Sequence, residues 1–504
     1  MLRSFEDRIK AATRHSPWQS RALIAVLTIA IGGASIASIN GAAVVKDAAQ
    51  ELQVAINISH HGVMSEEEHP PLEPSMYREP LPIVLEAAAV GVADLFLGRA
   101  DAPEYFSGKR TIIIKCQNVI FLLLLWSAAL VAARWFTSSY LLATVAGLLA
   151  IRPFLTAEPG GIGINALNTE LLAALLLLLA SFGLAVALAS RRPWRMAIAG
   201  GCFGLLALTK ASALYAFAGV VLILLIASIC RIPQLRARVS HILVLGACFV
   251  IVVIPWIGRN IYEFGAAEIS LRGGLAIYTR ALMDGISRDE YWGSYYVWAG
   301  PRLQPYVGRV LGFRPGDLNY GGKLQRLNFD LNSDLYDRDL AAERAGRPDD
   351  AITYYRRARA ERIRLQRQYT QRGDRHPELT ADDTMKSEGL RMIRYNVLGN
   401  LEMTVPLVWR SGHWYLIALA VAFGYGFFMK RGRLIAFVLP GLSLLGFYAL
   451  ATPFEPRWTS VVDSVAVIVT LTIIQQLWSG LDVFGAEDHE SAGNEIKKSS
   501  GDDA

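Results

Sequence analysis

Residues 47–65 read DAAQELQVAINISHHGVMS and follow the first apolar run of the chain. Taken as a helix, the stretch places Val45, Ala48, Ala49, Leu52, Ala55 and Ile56 on one apolar stripe at i, i+3, i+4 spacing. Asp47, Gln50 and Glu51 fall on the opposite side. Such a helix lies in the plane of a membrane surface, its greasy side on lipid or on neighbouring helices. Its acid then faces a wet cavity, where a carboxylate can take a proton from an attacking hydroxyl. More simply, an acid in a first turn complements the helix dipole. Further on, PSMYREPLPIVLEA (74–87) returns to the same surface, and Pro80 and Pro82 break the backbone before a second amphipathic run. The loop therefore carries two interfacial helices joined by a polar crossing.

Composition sets this loop in a membrane protein. Apolar residues make up 53% of the chain and charged residues 19%, and the apolar ones cluster in uncharged runs. About 20 residues of helix cross the hydrocarbon core. The pattern predicts an all-α polytopic membrane protein with about ten spans, at 22–40, 111–133, 139–156, 169–189, 196–209, 212–230, 241–258, 412–429, 434–451 and 459–478. The first run has no A-x-A exit and reads as a retained span rather than a cleaved signal. The four cysteines lie in or beside spans and form no CxxC pair. The net charge of +6 does not point to nucleic acid, because the basic residues collect in short loops.

Those loops set the orientation. Arg134; Arg191, Arg192 and Arg195; Arg231, Arg236 and Arg238; and Lys430, Arg431 and Arg433 fall on one side, expected to be cytoplasmic. The opposite connections, 157–168 and 452–458, are poor in basic residues. The expected plan is a cytoplasmic N-terminus (1–21), spans one to seven (22–258) enclosing an extracytoplasmic loop (41–110), and a second extracytoplasmic helical loop domain (259–411). Spans eight to ten (412–478) and a disordered cytoplasmic tail (479–504) complete it. Within the second loop, LAAERAGRPDDAITYYRRARAERIRL reads as helix, turn, helix, and resembles one tetratricopeptide unit. Such units need several stacked copies, and only one is found, so it reads as a helical hairpin on the outer face.

Several stretches, in order, resemble the GT-C superfamily of integral membrane glycosyltransferases, especially the branch of dolichyl-phosphate-mannose protein mannosyltransferases and bacterial lipid A sugar transferases. DAAQELQVAINISHHGVMS resembles its acid-initiated first loop, and REPLPIVLEA the start of its second surface helix. NTELLAALLLLLA resembles its acid at the outer mouth of a span, and GLLALTKASAL a following segment. IPWIGRNIYEFG is close to its P-W-x-x-R-N-x-x-x-F-G signature, and PFEPRWTSVVD resembles the E-x-R-[YW] segment before its last span. The adjacent acidic pair that many relatives carry at the first motif is missing here.

The resemblance implies a GT-C-like bundle that takes a sugar from a polyprenyl-phosphate-linked donor on the extracytoplasmic face of a bacterial inner membrane. The acceptor is a lipid, glycan or protein, and the displacement inverts the anomeric centre. Asp47 would be the general base or the organiser of the acceptor, with Glu170 a second acid in the same cavity. Arg259, Asn260, Arg457 and Lys210 would meet the donor phosphate, and Arg78, Glu79 and Glu455 would contact substrate. Arginine suits phosphate because its planar fork matches the oxygens and stays charged. Each residue also has a plainer reading. Arg259 and Lys210 can snorkel at span ends, Glu170 can cap its helix beside Asn168 and Thr169, and Glu455 can simply pair with Arg457.

No nucleotide-binding loop is needed for this chemistry, and no phosphate-cradling glycine loop or dinucleotide fingerprint is found, so no cofactor is assigned. A divalent metal is left open: His60, His61 and His69 sit near Glu66, Glu67, Glu68 and Glu79, without tight ligand spacing. The Tyr295–Trp298 aromatics stack on sugars or form an interfacial belt. Two other classes remain in view: a transporter or flippase of lipid-linked glycans, and a non-catalytic membrane assembly factor.

Overall fold

The computed structural model describes residues 17–155, 161–190, 192–230, 232, 239–328 and 333–478. Most of the N-terminal segment, the tail at 479–504, and the orientation markers Arg191, Arg231, Arg236 and Arg238 lie outside the described residues. Among the described residues the chain is helical, with no strand.

The membrane part begins with α1 (Pro17–Ser38), then α2 (Asp47–His61), α3 (Pro80–Leu97), α4 (Lys109–Thr137) and α5 (Tyr140–Ile151). It continues through α6 (Glu170–Ser190), α7 (Pro193–Thr209), α8 (Ser212–Ile229) and α9 (Val239–Phe264). A helical insertion follows: α10 (Gly273–Met283), α11 (Arg288–Val297), α12 (Gly300–Leu311), α13 (Asp334–Ala345), α14 (Tyr354–Gln371), α15 (Pro377–Tyr395) and α16 (Val397–Leu407). The bundle closes with α17 (His413–Phe428), α18 (Gly432–Ala451) and α19 (Pro456–Trp478).

Each expected span is a helix. Eight helices among the described residues are long and apolar enough to cross a membrane, which makes the protein an integral membrane protein. They include α3, expected to lie on the surface, and leave out α5, α7 and α17, which are shorter. Composition allows α3 to cross, but its tethers do not. Before its first turn, Glu79 Oε1 accepts from Ala211 N at 3.4 Å; beyond its last, Gly98 O accepts from Arg110 Nη1 at 2.5 Å. Ala211 lies between α7 and α8, and Arg110 in the first turn of α4. These sit at the bundle end that also holds the Asn40 N to Asn165 Oδ1 bond of 2.9 Å. The opposite end is marked by Gln475 Nε2 donating to Thr137 O at 2.8 Å. Both ends of α3 thus attach to one end of the bundle, and the helix runs along it.

Sequence explains the packing order. α6 is apolar all round and sits at the centre, with Leu171 to Leu178 buried. α1 exposes Leu23, Val26, Ile29 and Ile36 and is peripheral. α7 and α9 approach closely because Gly200 and Gly204 face α9: a Cβ on Gly200 would stand 2.2 Å from Leu245 O. The hairpin α13–α14 is joined to the rest of the insertion. Ala358 and Leu365 of α14 pack with Ala381 and Met385 of α15, so the insertion is one helical layer over the bundle end.

Candidate active site

The polar end of the bundle and the inserted layer enclose a cavity of about 550 Å³. Asp47, Glu51, Arg78, Glu79, Glu170, Lys210, Glu455 and Arg457 line it from the bundle side. Arg272, Arg359, Arg362, Lys386 and Glu268 line it from the insertion. Seven of the nine residues singled out in the sequence therefore converge on one space.

Asp47 is the hub. The polar face of α2 meets guanidinium groups: Asp47 Oδ1 lies 3.1 Å from Arg78 and 3.7 Å from Arg272, and Oδ2 lies 2.8 Å from Arg457. Burial alone would raise its pKa, but Arg272, Arg78 and Arg457 outweigh it and hold the carboxyl well below the usual carboxylate range. Asp47 is thus a fixed anion and a weak base. Backbone conformation supports its placement. Lys46, just before Asp47, has φ 58°, and Phe454, just before Glu455, has φ 42°. Such non-glycine conformations cost about 1–3 kcal/mol each and persist where the surroundings over-determine them.

Arg78 is almost fully buried and bonds Asp47, Gln50 and Glu51 together. Glu51, 5% exposed, pairs with Arg78 at 3.2 Å. Burial pushes Glu51 up, Arg78 opposes it, and Glu79, Glu170 and Asp47 add to the rise, which brings it to about 7. Glu455 pairs with Arg457 at 3.0 Å, as the plainer reading had it, while the same guanidinium also holds Asp47. Lys210 bonds Glu170 at 3.2 Å, so neither points away from the cavity.

Glu79 differs from the other cavity acids. Asp47, Glu51, Glu170, Glu268 and Glu455 each have a cation within 4 Å. Among the described residues no cation pairs with Glu79; its Oε1 accepts only from Ala211 N and Ser270 Oγ, both at 3.4 Å. It is an acceptor on the cavity wall outside any ion pair among the described residues.

Arg259 and Asn260, expected to meet a phosphate, are not among the residues that line the cavity. Arg259 Nη1 donates to Ser75 O and Asn260 Oδ1, both at 2.9 Å, and its guanidinium stacks on Trp256 and Phe264. Asn260 Nδ2 donates to Glu268 O at 2.7 Å. Their polar groups bond backbone carbonyls and each other. They fix the strand of chain before Arg78 and the turn before Arg272, and so act at one remove from the cavity.

Sequence reading missed Arg272, Tyr77, Lys386 and the inner face of α14. On α14, Tyr355, Arg359, Arg362 and Gln366 recur every three to four residues toward the cavity. That periodicity is present in the sequence, but among so many arginines it does not show which face is covered. Among the histidines, His60 is held by other partners. His60 Nε2 lies 2.9 Å from Asp94 Oδ2 and contacts Tyr105 Oη. Among the described residues no three His, Cys, Asp or Glu side chains group as ligands.

Fold and cavity together define a polytopic helical membrane protein with a charged site at one end of its bundle. No family model and no curated protein matches the chain. Among solved structures it is similar to ArnT from Cupriavidus metallidurans in the apo state, at 14% identity and a TM-score of 0.36, over 90% of this chain and 78% of that one. It is similar to ArnT from the same organism bound to undecaprenyl phosphate, at 13% identity and a TM-score of 0.37, over 91% and 79%. A third is the arabinosyltransferase EmbB from Mycobacterium smegmatis, at 15% identity and a TM-score of 0.34, over 92% of this chain and 42% of EmbB. This chain therefore spans under half of EmbB.

Proposed function

We propose that the protein is a GT-C-type glycosyltransferase that moves a sugar from a polyprenyl-phosphate carrier to a hydroxyl acceptor at the extracytoplasmic face of the membrane. The observation that carries this reading is the convergence of Arg78, Arg272 and Arg457 on Asp47 at the rim of a polar cavity. The cluster lies where span ends meet a surface helix, which supports a seat for a lipid phosphate there. The cavity is large enough for a sugar beyond it.

In this reading the donor phosphate enters among the three guanidiniums, which Asp47 holds in place. The acceptor oxygen attacks the anomeric carbon from the side opposite the phosphate. The bond from that carbon to the phosphate oxygen breaks, and the phosphate leaves with the electron pair. Negative charge grows on the departing phosphate, where fixed cations stabilise it most. The acceptor proton passes to Glu79, a cavity carboxylate that makes no ion pair within 4 Å among the described residues. Asp47, held anionic by three arginines, is better suited to organising them than to taking the proton. The displacement is single, and inverts the anomeric centre.

The test uses purified full-length protein, undecaprenyl phosphate carrying a radiolabelled sugar, and an envelope extract as the source of lipid, glycan and protein acceptors. Label moving to an acceptor with release of undecaprenyl phosphate supports transfer. A panel of labelled donors that stays intact, in detergent and in liposomes, counts against it. Label that only crosses the liposome membrane would mark a transporter.

A further inference from the structure

Arg362 shares the Tyr77 ring with Arg78 and Arg272 of the Asp47 cluster but, unlike them, is paired with no carboxylate among the described residues. It lies on α14, 9% exposed, and lines the cavity from the side of the insertion. Its Nη1 donates to Tyr77 Oη at 3.0 Å, and the guanidinium lies over the Tyr77 ring at 4.8 Å. Its Nε is buried with no hydrogen-bond partner. Among the described residues no carboxylate lies within 4 Å of it. Two acids feel its charge from outside the cavity lining, and both are committed elsewhere. Asp382 accepts from Gly274 N at 2.8 Å and Leu275 N at 3.3 Å, and Glu66 Oε1 from Ser75 Oγ at 3.2 Å.

A buried guanidinium without a counter-charge is costly, because desolvation is not repaid by an ion pair. The cost is removed if a ligand supplies the anion. Neighbouring groups suit that. Tyr355 and Gln366 line the cavity from the same helix, and Arg359 stands one turn away, its charge already matched by Glu343 at 2.7 Å. The Asp47 cluster differs, since there each guanidinium already has a carboxylate.

We propose that the cavity holds a second anion site, built on Arg362 and Tyr77, which takes a phosphate or carboxylate group on the water-side substrate. The inference rests on the transferase reading only for the name of that substrate: the acceptor would be an acidic glycan or glycolipid, recognised by a charge away from the attacking hydroxyl. The site itself stands or falls on binding.

The experiment measures binding to full-length protein in detergent with three probes: inorganic phosphate, methyl β-D-glucuronide and undecaprenyl phosphate. The expected result is that phosphate or the glucuronide binds in the presence of saturating undecaprenyl phosphate. Arg362→Gln should weaken that probe roughly ten- to hundred-fold, the range for a lost charge-assisted hydrogen bond. Undecaprenyl phosphate affinity in the same variant should stay at the wild-type value, which also shows that it is folded. Phosphate alone responding assigns a phosphorylated substrate, and the glucuronide alone a carboxylated one. If the variant misfolds, cryo-electron microscopy of the wild type at saturating probe decides: density within hydrogen-bond distance of the Arg362 guanidinium supports the site, and its absence there overturns it. The proposal is also overturned if neither small anion binds, if both bind the variant unchanged, or if they compete one-for-one with undecaprenyl phosphate. A small anion bound at Arg362 with no affinity for undecaprenyl phosphate would retain this site and remove the polyprenyl donor instead.

Discussion

Asp47 Oδ2 accepts a hydrogen bond from Arg457 Nη2 at 2.8 Å, although 410 positions separate the two residues. The bond joins the surface helix after the first span to the segment before the last, with Arg78 and Arg272 completing the cluster. Replacing Asp47 by Asn removes the anion that gathers three cations. Transfer should fall by about a hundredfold or more, in the range of lost electrostatic preorganisation. Affinity for undecaprenyl phosphate should hold or rise, because the guanidiniums lose a competitor. Steady-state kinetics with a separate binding measurement checks both.

Glu79 carries the proton in this account. Glu79→Gln should lower kcat by about 10²–10⁴, the usual contribution of a general base, with donor KM little changed. Glu79→Asp should retain part of the activity. If Asp47→Asn and Glu79→Gln instead give the same loss with the same pH profile, the separate roles assigned to them are wrong.

Glu51 makes the site sensitive to pH near neutrality. The folded protein holds its proton more tightly than the unfolded chain, which releases it near 4.5; folded, it leaves at about 7. The stability from this group is therefore complete below 4.5 and is lost as pH rises through about 7. Between pH 5 and 8 the melting temperature should fall more steeply in wild type than in Glu51→Gln. Donor affinity should fall over the same window, because an ionised Glu51 competes for Arg78, and Glu51→Gln should flatten that dependence.

Gly200 sets the distance between α7 and α9. A methyl group there would meet the backbone oxygen of Leu245 at 2.2 Å, where little can give way. Gly200→Ala should cost about 1–3 kcal/mol, the range for overpacking. Gly201→Ala, whose Cβ meets nothing within 4 Å, should match or exceed wild type in a thermal melt.

Much of this architecture was legible from the chain. Long uncharged runs dictate spans because unpaired backbone groups are not tolerated in lipid, and the acids and prolines between them mark where it surfaces. Asp47, Glu170 and Arg457 could be singled out because the stretches that carry them resemble GT-C segments; charge beside an apolar run alone has plainer readings. Arg259 was equally conspicuous and still lies outside the cavity. Sequence shows that a cation ends a helix, but not whether a carbonyl such as Ser75 O is waiting for it. Arg272 and Arg362 were missed for the converse reason: they sit in a charged insertion where only tertiary packing selects the inner face. Tyr77 becomes part of the site only because α14 folds back over it.

The most direct test is the affinity of the full-length protein for undecaprenyl phosphate, compared among wild type, Arg272→Gln and Arg457→Gln. The account predicts that each substitution weakens binding by about tenfold or more, as removing a charge-assisted phosphate contact should. Wild-type affinity in both variants would contradict a phosphate seat among these guanidiniums.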